Sequence, residues 1–183
     1  AWGIYNGILD DYVKNDGIKY LAKNGTVLNN MFCTNSICVP SRASILTGQY
    51  SHLNGVYTLA DNLDPDSLNV AKILKKNGYQ TALVGKWHLK KEPSGFDFYK
   101  VLPGQGKYNN PVFKTKENWE DGHKGGTQES GFSADIIGDS SIEWLKKRKS
   151  KKPFFLMTHF KATHEPFDYP KRHNEFLNNT FLP

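Results

Sequence analysis

The clearest patterning lies between residues 68 and 88. Leu68 to Asn77 is apolar at Val70, Ile73 and Leu74, a helical spacing, and Gly78 follows as a C-cap. The run Gly78-Tyr79-Gln80-Thr81-Ala82-Leu83-Val84-Gly85 then predicts a strand that delivers Lys86 and His88 to its C-terminal end. In open parallel α/β sheets that edge is where ligands bind. Further on, Phe132 to Lys149 reads as an amphipathic helix with Ile136, Ile137, Trp144 and Leu145 on its buried side. Pro153 to Phe160 is a short apolar run expected as a buried strand. Toward the N-terminus, an irregular entry to residue 16 is expected to lead into a helix around Gly17 to Asn24 and a short strand over Thr26 to Phe32. The stretch from Lys91 to Gly131 is polar, rich in Gly, Asn and aromatics, and lacks periodicity, with turns expected at 102–108 and 109–111. A loop this long inside a domain is more often a lid or binding loop than an accident, so 91–131 is expected to be an insertion or substrate loop. No internal repeat or low-complexity tract interrupts the pattern.

Candidate chemistry concentrates around Cys38-Val39-Pro40-Ser41-Arg42 and Ala43-Ser44-Ile45-Leu46-Thr47-Gly48. Pro40 has a fixed φ and no N–H to lose, which suits the first turn of a helix, and Gly48 suits the position just past its end. Residues 41 to 47 then form a short helix with Cys38 at its mouth. Such a terminus presents unpaired N–H groups and partial positive charge, favourable to an anion. Arg42 lies one helical turn from position 38 and donates forked hydrogen bonds. Read singly, the cysteine is equally a small buried hydrophobe, Lys86 a solvated lysine, and His88 a surface histidine.

Taken together, Cys-x-Pro-Ser-Arg-x-x-x-Leu-Thr-Gly at 38–48 resembles the activating signature of type I sulfatases, and Gly85-Lys86-Trp87-His88 resembles their second signature. Lys161-Ala162-Thr163-His164-Glu165-Pro166-Phe167 is similar to a third loop of the family, with Thr163 where proline is commoner. The resemblance implies an α/β fold: an alkaline-phosphatase-like three-layer α/β/α sandwich with a mostly parallel central sheet, present here as a partial domain over 1–183. It implies that Cys38 is oxidised to formylglycine, by a formylglycine-generating or an anaerobic sulfatase-maturing enzyme, and that the hydrated aldehyde attacks sulfur. Arg42 would stabilise charge, Lys86 would bind the sulfate, His88 would bond the formylglycine, and His164 would protonate the leaving oxygen. His159 is a competitor for that last role, though a strand histidine more often packs or bonds structurally. Calcium is the implied metal, with Cys38 as formylglycine among its ligands and the others expected outside this chain. Asp10-Asp11 does not follow an apolar strand and reads as loop rather than as a substitute ligand pair.

Composition adds little. Net charge is +6, from 24 basic and 18 acidic side chains, which suits sulfated anions and would equally suit nucleic acid. The basic run from Lys146 to Lys152 reads as a solvated helix end. Only Cys33 and Cys38 are present, which excludes a disulfide scaffold and does not resemble a zinc site. No stretch reaches the length of a membrane span. The resemblance points to a sulfated glycan as substrate, no nucleic acid partner, and a periplasmic or secreted full-length protein whose signal is not in this chain. Two other readings stay open: a formylglycine-dependent phosphonate or phosphodiester hydrolase, and a non-catalytic relative that binds sulfated glycan.

Overall fold

A computed structural model describes residues 12–13, 15–122, 124–149 and 151–181. They divide into two units, one holding the described residues up to Phe32 and from Tyr169 on, the other Cys33–Asp168. In the first, Asn15 accepts from the backbone N–H of Ile18 at 3.1 Å and so caps α1 (Asp16–Asn24). A 3-10 turn at Lys171–His173 is its other regular piece. The strand expected over Thr26 to Phe32 is absent: the segment is irregular, and Leu28, Met31 and Phe32 are exposed. A strand needs a neighbour to pair its N–H and C=O groups, and no described strand runs beside this one. Asp10 and Asp11 lie outside the described residues.

The second unit carries the sheet and its helices. α2 (Cys38–Thr47) starts three residues earlier than expected, with Ile37 as N-cap and Ser41 N–H donating to the Ile37 carbonyl at 2.9 Å. Gly48 closes it in the left-handed conformation, φ 67°, donating to Ser44 O. A single turn, α3 (Ser51–Asn54), follows, then α4 (Val70–Lys76), capped by Asn69, whose side chain accepts from Lys72 N–H at 3.0 Å. Next come β1 (Gln80–Lys86), β2 (Phe98–Leu102), the short β3 (Val112–Phe113) and β4 (Thr127–Gln128), α5 (Ser133–Lys147) and β5 (Phe154–His159).

The main sheet has the order β2-β1-β5, and both pairings are parallel. Alternate side chains of its strands enter different cores, as strand geometry requires. Leu83, Tyr99 and Val101, with Phe155 and Met157 against them, pack with Val39, Ala43 and Leu46 of α2 and Ala71 of α4. Val84 and Leu102, with Phe98 and Leu156, pack with Ile137 of α5. Helices therefore cover both faces, giving the expected three layers.

Two expectations are corrected here. The stretch 91–131 is not simply a loop, because β2 inside it is an edge strand of the main sheet. Its alternation is masked by Lys100, which stands on the same face as Phe98 and Leu102. The Lys100 stem is accommodated because its ammonium lies 4.9 Å from the Phe113 ring centroid and 2.8 Å from Glu129. β5, expected to be buried, is only half-buried, and Phe154 at its start is exposed. The expected turn at 102–108 is present, with Gly106 N–H donating to Pro103 O. Lys146 and Lys147 are solvated at the end of α5, as the basic run implied.

Candidate active site

Parallel strands end at one edge, and there the second unit gathers its reactive side chains. Cys38 is the first residue of α2, Lys86 the last of β1 and His159 the last of β5. All three line one cavity of about 670 Å³ together with Arg42, Lys161 and His164. Gly85 makes that convergence possible. It has φ 103°, and a Cβ built on it would stand 2.0 Å from the His159 carbonyl oxygen, so only glycine lets β1 and β5 approach this closely.

Arg42 is held by the strand ends themselves. It donates to the Lys86 carbonyl at 2.9 Å, and its guanidinium is 3.3 Å from His159 Nδ1, which is 3.0 Å from the same carbonyl. The Lys86 side chain is buried and donates to Gln105 Oε1. Lys161 is buried too, 3.4 Å from the Glu165 carbonyl and 4.8 Å from the centre of the Tyr108 ring.

Burial and like charge together depress these groups. Burial lowers the Lys86 pKa to about 8, helped by Arg42 and Lys161 and opposed by Cys38. Burial also lowers Arg42, against the attraction of Cys38. Lys161 and His159 are lowered chiefly by burial. His88 falls to about 4, from burial first and then from Lys86, Arg42, His164 and Lys90. Converging cations in a desolvated pocket repel one another, and an anion placed among them relieves both costs.

The structure brings Cys38, Arg42, Lys86 and His164 to one cavity. His88 is not on that wall. It takes φ 59° and lines an adjacent cavity of about 150 Å³ with Trp87 and Lys114, and its Nδ1 is buried without a hydrogen-bond partner. Cys33 and Cys38 are both free thiols, Cys33 lying 3.3 Å from Ser36 Oγ. Lys161 and Gln105 had no assigned role in the sequence, where a lysine after a strand reads as solvated and a glutamine between glycines as part of a turn. The cluster of apolar residues before Lys161 is the one signal that could have marked it as buried.

A formylglycine fits position 38. The side chain there opens on the cavity at the N-terminus of a ten-residue helix, and its charge is felt by Arg42 and Lys86. Calcium does not fit the described residues alone: among them no group of three or more His, Cys, Asp and Glu side chains could hold a metal.

Comparison with known proteins identifies the family of this chain. The family profile described as Sulfatase matches residues 2–179. An N-acetylglucosamine-6-O-sulfatase of Bacteroides thetaiotaomicron is 39% identical over 186 residues, covering 100% of this chain and 32% of the relative. An ulvan-active sulfatase of Formosa agariphila is 31% identical, covering 86% of this chain and 32% of the relative. A solved structure in complex with its substrate D-glucosamine-2-N,6-O-disulfate superposes with a TM-score of 0.87 at 37% identity, over 98% of this chain and 35% of that one. A second, in complex with a neocarrahexaose, has a TM-score of 0.79 at 22% identity over 91% of this chain and 43% of that one, a likeness of fold alone. The chain spans about a third of the length of the curated relatives it matches.

Proposed function

Since this chain belongs to the sulfatase family and has its alkaline-phosphatase-like α/β/α fold, we propose that the protein it comes from hydrolyses sulfate esters of a glycan. The observation that carries this reading is the convergence of Cys38, Arg42, Lys86 and His164 on one cation-rich cavity. The relatives named for 6-O-sulfated N-acetylglucosamine and for ulvan support a sulfated carbohydrate as the substrate class.

Converted to formylglycine, residue 38 supplies a hydrated aldehyde whose two hydroxyls provide, in turn, a nucleophile for sulfur and the means to release the sulfate. The chain's own side chains do the rest. Arg42, fixed by the Lys86 carbonyl and lining the cavity beside residue 38, would stabilise charge on the sulfate at the N-terminus of α2. Lys86, buried and with its pKa lowered to about 8, neutralises charge on the sulfate and on the departing oxygen. His164 gives its proton to that oxygen as the S–O bond breaks, the bonding pair staying on oxygen. The resemblance assigns His88 a hydrogen bond to formylglycine 38; in this structure its ring lines the neighbouring cavity, with Nδ1 unpartnered. Calcium is the metal of this reading; formylglycine 38 would be one ligand and the others would lie outside the described residues, and no step here runs through it. No helix among the described residues is long and apolar enough to cross a membrane. Because polymeric sulfated glycans are met outside the cytoplasm, the working location proposed is periplasmic or extracellular, after maturation by a formylglycine-forming enzyme.

The test is peptide mass spectrometry of the matured full-length protein beside an assay of sulfate release from a 6-O-sulfated amino sugar. The Cys38 peptide should be about 18 Da lighter than the thiol form, the mass change of a covalent conversion of SH to aldehyde. Sulfate release by protein whose residue 38 is still entirely thiol would overturn the reading.

A further inference from the structure

His164 stands on a loop, and a loop histidine that must deliver a proton needs its backbone and its ring held separately. The structure supplies both. The His164 carbonyl accepts from the Tyr108 hydroxyl at 2.5 Å and from Phe167 N–H at 3.0 Å, and the His164 N–H donates to Lys161 O at 3.1 Å. The ring Nδ1 lies 2.9 Å from the Glu165 carbonyl. A carbonyl oxygen only accepts, so Nδ1 carries the hydrogen and Nε2 is left for the cavity.

Tyr108 is itself anchored from the rigid side of the fold. It is buried, its ring stacks on Phe132 at 5.6 Å, and its carbonyl accepts from Ser133 N–H at 2.7 Å, at the first turn of α5. The Lys161 ammonium covers the other part of the ring and reaches the same Glu165 carbonyl that holds Nδ1. Beside it, Asn109 Nδ2 donates to Asp168 Oδ2 at 2.6 Å, so residues 108–109 clasp the loop at two points.

Resting on the assignment of His164 as the proton donor, we propose that Tyr108 is a positioning residue for it: its hydroxyl ties the His164 backbone to the start of α5, so that Nε2–H is aimed at the leaving oxygen. In the imidazolium both ring nitrogens carry hydrogen; the proton passes from Nε2 to that oxygen as the S–O bond breaks and its electron pair moves to oxygen, leaving a neutral ring with its hydrogen on Nδ1. The group matters only when the leaving oxygen is a poor one. A sugar alkoxide needs the proton, whereas an activated phenolate departs without it.

Tyr108→Phe keeps the ring, its stacking and its cation, and removes one hydroxyl. In the matured full-length enzyme, this variant and His164→Ala are compared with the parent on a sugar 6-sulfate and on 4-nitrophenyl sulfate, with thermal unfolding followed alongside. The expected result is a loss of kcat of about tenfold on the sugar sulfate, a part of the roughly 10²–10⁴-fold that a positioned acid contributes, with KM and the aryl sulfate rate changed less than about twofold. His164→Ala should show the same selectivity, more strongly. Equal losses on both substrates for Tyr108→Phe, or none on either while His164→Ala discriminates, would overturn this inference alone. Equal losses for His164→Ala would overturn the acid assignment and this inference with it. Should Tyr108→Phe not fold, nitrogen-15 NMR of labelled histidines in the parent decides, since His164 found with its hydrogen on Nε2 and none on Nδ1 at high pH would break the argument.

Discussion

Cys38 occupies a position where substitution tests chemistry without testing packing. It is the first residue of α2, half-exposed on the cavity wall, and none of the core clusters includes it. Cys38→Ser should therefore leave the melting temperature within about 2 °C, a shift that corresponds to about 0.5–1 kcal/mol for a domain of this size. It should also abolish turnover, because a serine bearing sulfate has no second hydroxyl with which to release it. Release of more than one equivalent of product per serine variant, measured by a burst assay, would contradict this. Gly85 is the opposite case, a residue with no chemistry on which the site depends. A methyl group there would stand 2.0 Å from the His159 carbonyl at a φ that side chains avoid. Gly85→Ala should cost more than about 2 kcal/mol in urea unfolding, in the range of strained, overpacked positions. A loss below about half that would mean that β1 and β5 can separate without consequence.

At the scale of elements, the site depends on where α2, β1 and β5 end. α4 and β1 were legible because Gly78 separates them and Val70, Ile73 and Leu74 keep a helical spacing. The helix at Cys38 was legible from Pro40 and Gly48, although its start three residues before Ser41 was not: Ile37 caps it without a side-chain hydrogen bond, so nothing in the sequence marks it. β2 escaped notice since one of its inward faces carries Lys100, satisfied by Glu129, Ser140 and Phe113 from elsewhere in the chain. The strand expected at Thr26 to Phe32 failed for the converse reason, an apolar pattern without a ladder partner among the described residues.

For the molecule as a whole, the excess of positive charge is less telling than its distribution. Lys86 is protonated in both folded and unfolded chains below pH 8, and there the cost of its burial is present in full. Between pH 8 and its ordinary value of 10.5, the unfolded chain holds the proton and the folded one does not, so this group makes stability rise with pH. His88 acts in the same sense lower down, its contribution falling as pH drops from 6.5 through 4. Sulfate or another tetrahedral anion should cancel the Lys86 cost by pairing with it. Thermal unfolding is expected to show stabilisation by millimolar sulfate that is larger at pH 7 than at pH 10, and no difference in Lys86→Met. Equal stabilisation at both pH values would place the bound anion away from Lys86.

Short-range information was enough for the local pieces: turn residues, helix caps and the apolar periods of α4, β1, α5 and β5 are properties of a few neighbouring side chains. The proposed roles of Cys38, Arg42, Lys86, His88 and His164 came from motifs of the same local kind. Tertiary structure decided what those pieces share. It placed Cys38, Arg42, Lys86 and His164 on one cavity and put His88 on the next. It also buried Lys161 and brought Gln105 to Lys86 and Tyr108 to His164, across 19 and 56 residues. Burial and long-range hydrogen bonds depend on which distant surfaces pack together, and no window of sequence contains both partners.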